Sequence, residues 1–298
     1  MNNTLIAVDK SGSYRAYITI STELVENARR VHETEPVATA ALGRTITAAG
    51  MMGLMLKGDG DKLTVKIGCD GPVQEILATA YPSGAVKGYI AHPSVDLPLR
   101  ESDGKLDVGR AVGTGNLTVI KDLGLKEPYV GRVDLVSGEI AEDFTNYFAT
   151  SEQQPSSVAL GVLIAPDRSV AAAGGFIIQV LPDALDECLD RLETQLRYLP
   201  PVTELISQAG NVREFMDLIF LGMPDAYMLE VLEERNIFWQ CDCSRDRMEK
   251  ALISIGRKDL RQLIEEDHGA ELTCHFCRKQ YQFSEDDLQK LFEEASHE

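Results

Sequence analysis

The chain has 298 residues, a formal net charge of -18, and 26% charged residues. Because a single hydrophobic core rarely serves so long a chain, we expect two or three domains. The negative charge repels phosphate over most of the surface, which argues against nucleic acid and membranes as partners. No basic region precedes an apolar stretch at the start of the chain, and no long uncharged apolar run occurs, so we expect a soluble cytoplasmic protein.

The first predicted domain covers residues 1–182 and has an α+β fold. Segments with alternating apolar residues, such as YRAYITI and KLTVKI, lie between turn sequences and predict strands. Helices are predicted over 23–32, over about 37–57, and between Gly138 and Pro155. Strands return in VALGVLIA and SVAAAGGFIIQVL. The mixture predicts sheets and helices without regular alternation.

Residues 183–235 change to a helical pattern and are predicted to form a helical linker. In ALDECLDRLETQLRYL the apolar residues fall near one face of a helix, and shorter helices are predicted around TELISQ and VREFMDLIF. The segment MPDAYMLEVLEER then leads toward Trp239 and is included in this helical linker.

Residues 236–298 form the last predicted domain. Ser244 is a candidate N-cap for a helix, a second short helix ends near Gly269, and ELTCHFCRKQYQFS predicts two strands joined by a turn. SEDD is typical of the start of a final helix. The apolar residues expected to face inward on the first and last helices are Met248, Leu252, Ile255, Leu288, Leu291 and Phe292. So few large apolar groups cannot hold about 60 residues firmly, and we expect an additional stabilising element.

The cysteines indicate what that element is. Four of the six lie in the last 58 residues, as Cys241 and Cys243 in CDC and Cys274 and Cys277 in CHFC. In a reducing cytosol, thiols at fixed spacing are more often metal ligands or redox centres than disulfides. Four thiolates suit tetrahedral zinc, so we predict one zinc ion bound by these four residues. His275 could also be a ligand, although four cysteines already complete a tetrahedron.

Two alternatives to the zinc site remain. Four unrelated buried cysteines are possible, although the paired spacing argues against them. A catalytic dithiol at CHFC is the other, but a thioredoxin-like centre lies where a strand gives way to a helix, and the sequence after Cys277 continues into a strand. No other catalytic constellation is found, and we expect that the protein is not an enzyme.

Three further groups of residues are interpreted as structural. Cys69 in a predicted turn and Cys188 on a helix face are more often structural thiols than nucleophiles. The methionines of GMMGLML either form an adaptable binding surface or belong to the core, and we favour the core.

The tail CDCSRDRMEKALISIG…CHFCRKQYQFSEDDL resembles the zinc-binding end of the heat-shock protein 33 family, the redox-regulated bacterial chaperones. That family's pattern is C-x-C, a spacer, and C-x-x-C. Three long segments that begin ARRVHETEPV, GPVQEILATA and VGTGNLTVIK resemble the same family in the same order, so the resemblance covers nearly the whole chain. Small departures at Asp246 and Met248 affect no predicted ligand.

The resemblance implies an ATP-independent holdase that is inactive when reduced and zinc-bound. Oxidation would form the disulfides Cys241–Cys243 and Cys274–Cys277, release zinc, and unfold the C-terminal region. Hydrophobic surface would then bind unfolding client proteins, and the active form would be a homodimer. On this reading 1–182 is the client-binding and dimerisation domain, 183–235 the linker, and 236–298 the redox switch.

Three rival classes of protein also contain cysteine motifs of this kind. A constitutive structural zinc protein would not respond to oxidants, and a dithiol oxidoreductase would turn over substrate disulfides. A zinc-ribbon nucleic-acid protein would need a basic tail, whereas residues 241–298 contain 9 Lys and Arg against 14 Asp and Glu.

Overall fold

The computed structural model describes residues 3–294. The chain divides into two compact units, of which the first ends at Gln240 and the second begins at Cys241. We call them the N-terminal unit and the C-terminal unit. Residues 236–240, which the sequence assigned to the last domain, belong to the N-terminal unit by their contacts. None of the helices among residues 3–294 combines the length and the apolar composition of a membrane-spanning segment.

A five-stranded antiparallel sheet forms one half of the N-terminal unit. Its strands are β1 (Asn3–Asp9), β2 (Tyr14–Ile20), β8 (Ser156–Ile164), β9 (Val170–Val180) and β10 (Leu229–Asn236). They lie in the order β10-β1-β2-β9-β8. Successive side chains of β2 and β9 point to opposite faces of the sheet. Those on one face belong to one buried apolar cluster, and those on the other face belong to a second cluster. Both faces of this sheet are therefore buried.

A six-stranded sheet forms the other half. Its strands are β3 (Lys62–Cys69), β4 (Glu75–Ala80), β5 (Ala85–Ile90), β6 (Gly115–Asp122), β7 (Tyr129–Asp134) and β11 (Phe238–Trp239). They lie in the order β11-β5-β4-β3-β6-β7. The short strand β11 pairs in parallel with β5, and Ile237 just before it is fully buried in the same core.

Four helices accompany these sheets. They are α1 (Thr22–His32), α2 (Pro36–Gly53), α3 (Val108–Val112) and α4 (Ala141–Thr150). Helix α2 begins with a proline, which suits the first helical position, and contacts strands of both sheets. Met51 and Met52 are buried in it and Met55 packs against the core, so the core interpretation of these methionines is confirmed.

Three short helices cover the second face of the five-stranded sheet. They are α5 (Asp186–Arg197), α6 (Val202–Gln208) and α7 (Val212–Ile219). The Asn211 side chain caps α7 by accepting hydrogen bonds from the N–H groups of Arg213 and Glu214. Cys188 and Phe215 are fully buried in the core that these helices share with the sheet.

The end of the predicted helical linker needs a correction. Residues Leu229–Asn236 form strand β10, which pairs with β1 from Asn3 opposite Asn236 to Asp9 opposite Leu229. This segment is rich in Leu and Glu and favours a helix locally, but pairing with the free edge of β1 outweighs that preference. The helices of the linker end at Ile219, and a single 3-10 turn (Asp225–Tyr227) precedes the strand.

Over residues 241–294, which the structure describes, the C-terminal unit contains three helices and one hairpin. They are α8 (Arg245–Ser254), α9 (Arg257–Glu265), β12 (Gly269–Thr273), β13 (Gln280–Ser284) and α10 (Glu285–Glu294). The Ser244 hydroxyl accepts the N–H of Arg247, which confirms the predicted N-cap. Ser284 and Asp287 exchange side-chain to backbone hydrogen bonds in a capping box at the start of α10.

The core of the C-terminal unit is small. Among the side chains that the structure describes, seven apolar ones are buried in it: Leu252, Leu260, Ile264, Tyr281, Phe283, Leu288 and Leu291. The prediction for Ile255 is wrong, because α8 ends at Ser254 and Ile255 is 45% exposed. Met248 and Phe292 are partly buried and pack against this core, as expected.

Candidate metal centre

Two local structures present the four predicted cysteines. Cys241 and Cys243 lie in extended chain that ends where Ser244 caps α8. Cys274 and Cys277 lie in the tight turn between β12 and β13. The turn is closed by hydrogen bonds from the Cys274 N–H to the Lys279 carbonyl and from the Arg278 N–H to the Cys274 carbonyl, each 2.9 Å long. The Cys274 and Cys277 thiols are thereby held by a few residues of backbone.

The two pairs converge on one point. All four Sγ atoms lie within 4.8 Å of one another, and within the described residues no other His, Cys, Asp or Glu joins this group. The Sγ distances are 3.7 Å from Cys241 to Cys274 and 3.3 Å from Cys243 to Cys277. A tetrahedron with zinc–sulfur bonds of about 2.3 Å has edges of about 3.8 Å. The arrangement therefore fits a tetrahedral thiolate site for an ion of this size.

The other residues considered as ligands or thiols lie outside the group. His275 is not a member of it. Cys69 ends β3 and its thiol donates to the Gln74 carbonyl at 3.3 Å, while Cys188 is fully buried on α5. All six cysteines are free thiols in this structure.

Burial and neighbouring groups shift the pKa values of the Cys241, Cys243 and Cys277 thiols. Burial raises the pKa of the Cys241 and Cys277 thiols above the ordinary value. Burial also acts on Cys243, but hydrogen bonds from Tyr281 and Cys277 outweigh it and lower the pKa of that thiol. Four thiolates at such short distances repel one another, so the full set of negative charges requires a cation among them.

Tyr281 is a part of the site that the sequence reasoning missed. Its hydroxyl donates a hydrogen bond to Cys243 Sγ at 3.1 Å. That bond, with burial adding to it, raises the pKa of the Tyr281 phenol. Alternation along β13 puts Tyr281 and Phe283 on the buried face of the hairpin, which was readable from the sequence. The sequence does not predict that Cys243 is the acceptor, because Tyr281 and Cys243 are far apart in the chain.

Arg245 connects the elements around the site. Its guanidinium carbon lies 4.3 Å from the centroid of the Phe283 ring, and it donates to the Gln282 carbonyl at 2.9 Å. It also forms ion pairs with Glu249 at 3.2 Å and with Asp287 at 2.9 Å. The start of α8 is thus tied to β13 and α10, which holds the C-x-C segment beside the hairpin turn.

Comparison with known proteins gives one consistent result. A family model described as Hsp33 protein matches residues 2–284. A 33 kDa chaperonin of Clostridium perfringens is 50% identical over 297 residues, which is 99% of this chain and 92% of that protein. A 33 kDa chaperonin of Alkaliphilus metalliredigens is 49% identical over 289 residues, 97% of each chain.

The fold agrees with a solved structure. The crystal structure of a 33 kDa chaperonin, a heat shock protein 33 homolog from Thermotoga maritima, matches with a TM-score of 0.90 at 34% identity, covering 100% of this chain and 99% of that chain. The predicted α+β fold class is confirmed by this match.

Proposed function

The chain belongs to the Hsp33 family of chaperones, and on that premise we propose that it is a redox-regulated, ATP-independent holdase whose switch is the four-cysteine centre. Cys241, Cys243, Cys274 and Cys277 bind one zinc ion in the reduced, inactive state. The observation that carries this proposal is the convergence of the four Sγ atoms within 4.8 Å. The protein binds unfolding client proteins after oxidation and catalyses no reaction.

Zinc, when bound, supplies the positive charge that keeps four thiolates together and so closes the fold of the C-terminal unit. Structural zinc contributes about 10–16 kcal/mol to folding in small domains. A core of the size seen here leaves only about 3–5 kcal/mol of net stability in domains of this length. The C-terminal unit, with seven buried apolar side chains, therefore depends on its thiolates for its folded state.

Oxidation removes those thiolates in two steps. One cysteine thiolate attacks hydrogen peroxide, so that an S–O bond forms, the O–O bond breaks and hydroxide leaves. A neighbouring thiolate then attacks the sulfenic sulfur, which forms the S–S bond and expels a second hydroxide. Two thiols and one peroxide thus give one disulfide and two waters. A disulfide sulfur has lost its negative charge and is a poor metal ligand, so the centre no longer holds its ion.

We assign the disulfides to the sequence neighbours, Cys241 with Cys243 and Cys274 with Cys277. These loops are very short, and the stabilisation from loop closure is smallest for short loops. Oxidation therefore returns little of the lost stability, and the C-terminal unit unfolds. In the reduced structure, Sγ distances of 3.7 Å (Cys241 to Cys274) and 3.3 Å (Cys243 to Cys277) join residues of different motifs. Peptide mapping of the oxidised protein distinguishes the two pairings.

The surface that binds clients is proposed to be the one that the linker now covers. Helices α6 and α7 have 7 and 8 residues, and isolated helices this short are marginal in water. They depend on packing of residues such as Phe215 and Ile206 against the five-stranded sheet. We propose that oxidation releases these helices from the sheet, which would expose this apolar core to client proteins and to a second copy of the chain.

One alternative loses support in the structure. A dithiol oxidoreductase places its C-x-x-C where a strand gives way to a helix, but Cys274 and Cys277 lie in a turn between two strands. A constitutive zinc protein has the same site geometry as the proposed switch, and only its response to oxidant distinguishes it.

Light scattering from a thermally unfolding client tests the proposal. The reduced, zinc-loaded protein should leave aggregation unchanged, and the same protein after hydrogen peroxide and mild heat should suppress it. Treatment with a thiol reductant and zinc should restore the inactive form. Equal suppression before and after oxidation would contradict the switch and favour a constitutive zinc protein.

A further inference from the structure

Tyr281 contacts the centre without being one of its ligands. It lies on β13, is 7% exposed, and donates its hydroxyl hydrogen to Cys243 Sγ at 3.1 Å. A phenol has a single O–H, so this residue can direct a donated hydrogen bond to one acceptor only. The contact therefore distinguishes Cys243 from the other three sulfurs.

The hydroxyl is held in place by the packing of its ring. Tyr281 lies opposite Leu272 on β12 and shares the core of the C-terminal unit with Phe283. The Lys279 ammonium lies 5.0 Å from the centroid of the Tyr281 ring, within cation–π range. Replacing tyrosine by phenylalanine preserves these ring contacts and removes only the O–H.

We propose that Tyr281 is a positioning residue that restrains the oxidation of Cys243. The inference rests on the proposed function. In the attack on peroxide, an electron pair leaves Cys243 Sγ for the new S–O bond, the O–O bond breaks and hydroxide departs. The negative charge that the Tyr281 O–H stabilises is thereby withdrawn from sulfur. The hydrogen bond is stronger in the thiolate than in the transition state, so it raises the barrier.

The size of the effect follows from two general quantities. A hydrogen bond to a charged group changes an equilibrium by about ten- to a hundredfold. The nucleophilicity of a thiolate follows its basicity with a coefficient of about 0.4–0.5. Removing the O–H should therefore accelerate attack by Cys243 about three- to tenfold.

The test compares the reduced, zinc-loaded full chain with Tyr281→Phe. Zinc release under hydrogen peroxide is followed with a chromophoric chelator, and alkylation of each cysteine by iodoacetamide is followed by mass spectrometry. We expect both zinc release and Cys243 alkylation to become three- to tenfold faster, with alkylation of Cys274 unchanged. Incorporation of 3-fluorotyrosine at position 281, a stronger hydrogen-bond donor of nearly the same shape, should slow both reactions.

Phe283→Leu is the matched control, because it loosens the same buried face of β13 and removes no hydrogen-bond donor to a sulfur. The proposal is overturned if Tyr281→Phe reacts at the rate of the parent, or if it accelerates all four cysteines as Phe283→Leu does. It is equally overturned if Tyr281→Phe no longer binds zinc, since the hydroxyl would then be needed for binding. A parent that retains zinc under peroxide refutes the proposed function instead, and Cys243 alkylation still decides the role of Tyr281.

Discussion

Replacement of Cys274 by serine tests the dependence of the C-terminal unit on its metal. Cys274 is the buried member of the four-cysteine group. Loss of an outer-shell partner of a metal already costs about 10- to 100-fold in affinity, so loss of a ligand should cost more than about a hundredfold, or about 2.7 kcal/mol. That is comparable with the whole net stability of about 3–5 kcal/mol expected for so small a core.

We therefore expect Cys274→Ser to bind zinc weakly and to unfold its C-terminal unit. Amide hydrogen exchange measured by mass spectrometry should show that α8, α9 and α10 lose protection, while the six-stranded sheet of the N-terminal unit keeps it. A chelator should produce the same pattern in the parent. Cys69→Ser is the matched control, because Cys69 is partly buried and lies outside the group. A Cys274→Ser protein with stoichiometric zinc and a protected C-terminal unit would show that the fold of this unit does not depend on Cys274.

Three further changes have defined outcomes. A chain ending after Gln240 keeps β11 and the fully buried Ile237, and it should suppress client aggregation without oxidant; a folded but inactive truncation would count against the switch. Phe215→Ala removes a fully buried ring from α7 at a cost of about 3–5 kcal/mol. It should lower the temperature at which the oxidised protein becomes active, and an unchanged onset would show that this packing does not limit activation. Hydrogen bonds from Arg29 to Glu26 hold the pKa of that carboxyl at about 2, below its ordinary 4.5. Its contribution to stability is present above pH 4.5 and is lost as the pH falls toward 2. Glu26→Gln should lower the unfolding free energy at neutral pH by about 1–2 kcal/mol, as measured by urea titration. As the pH falls from 4.5 toward 2, the unfolding free energy of the variant should decrease less than that of the parent. An equal pH dependence in the two proteins would contradict this.

The candidate centre could be predicted because the two cysteines of each pair are close together in the sequence. Each pair of cysteines is one or two residues apart, so a short piece of backbone fixes both thiols, and two such pairs are sufficient for four ligands. The helix caps at Ser244 and Ser284 were predictable for the same reason, since each depends on residues two or three positions away.

The linker could be predicted only in part because its end is decided by distant residues. Strand β10 pairs with β1 at the other end of the chain, and its Leu and Glu residues favour a helix in isolation. Similarly, the apolar spacing placed Ile255 on the inner face of α8, but the helix ends one residue before it. The helix and strand propensities of a segment carry no information about a distant sheet edge that can pair with it, or about the turn that ends a helix.

The contact between Tyr281 and Cys243 illustrates the same limit within the centre. Strand alternation indicates that Tyr281 faces inward, but the sulfur that its hydroxyl meets depends on how the C-x-C segment is held beside the hairpin. Arg245 determines that placement through Phe283 and Asp287, and none of these pairings has a sequence signature.

The central claim is that loss of the thiolate centre and gain of client binding are one event. It is tested most directly by following zinc release and suppression of client aggregation together, in the same sample, after addition of hydrogen peroxide at mildly elevated temperature. Suppression should be absent before oxidation, rise with or just after zinc release, and reverse when a thiol reductant and zinc are returned. Full suppression while the four cysteines still hold zinc, or complete zinc release without any suppression, would contradict it.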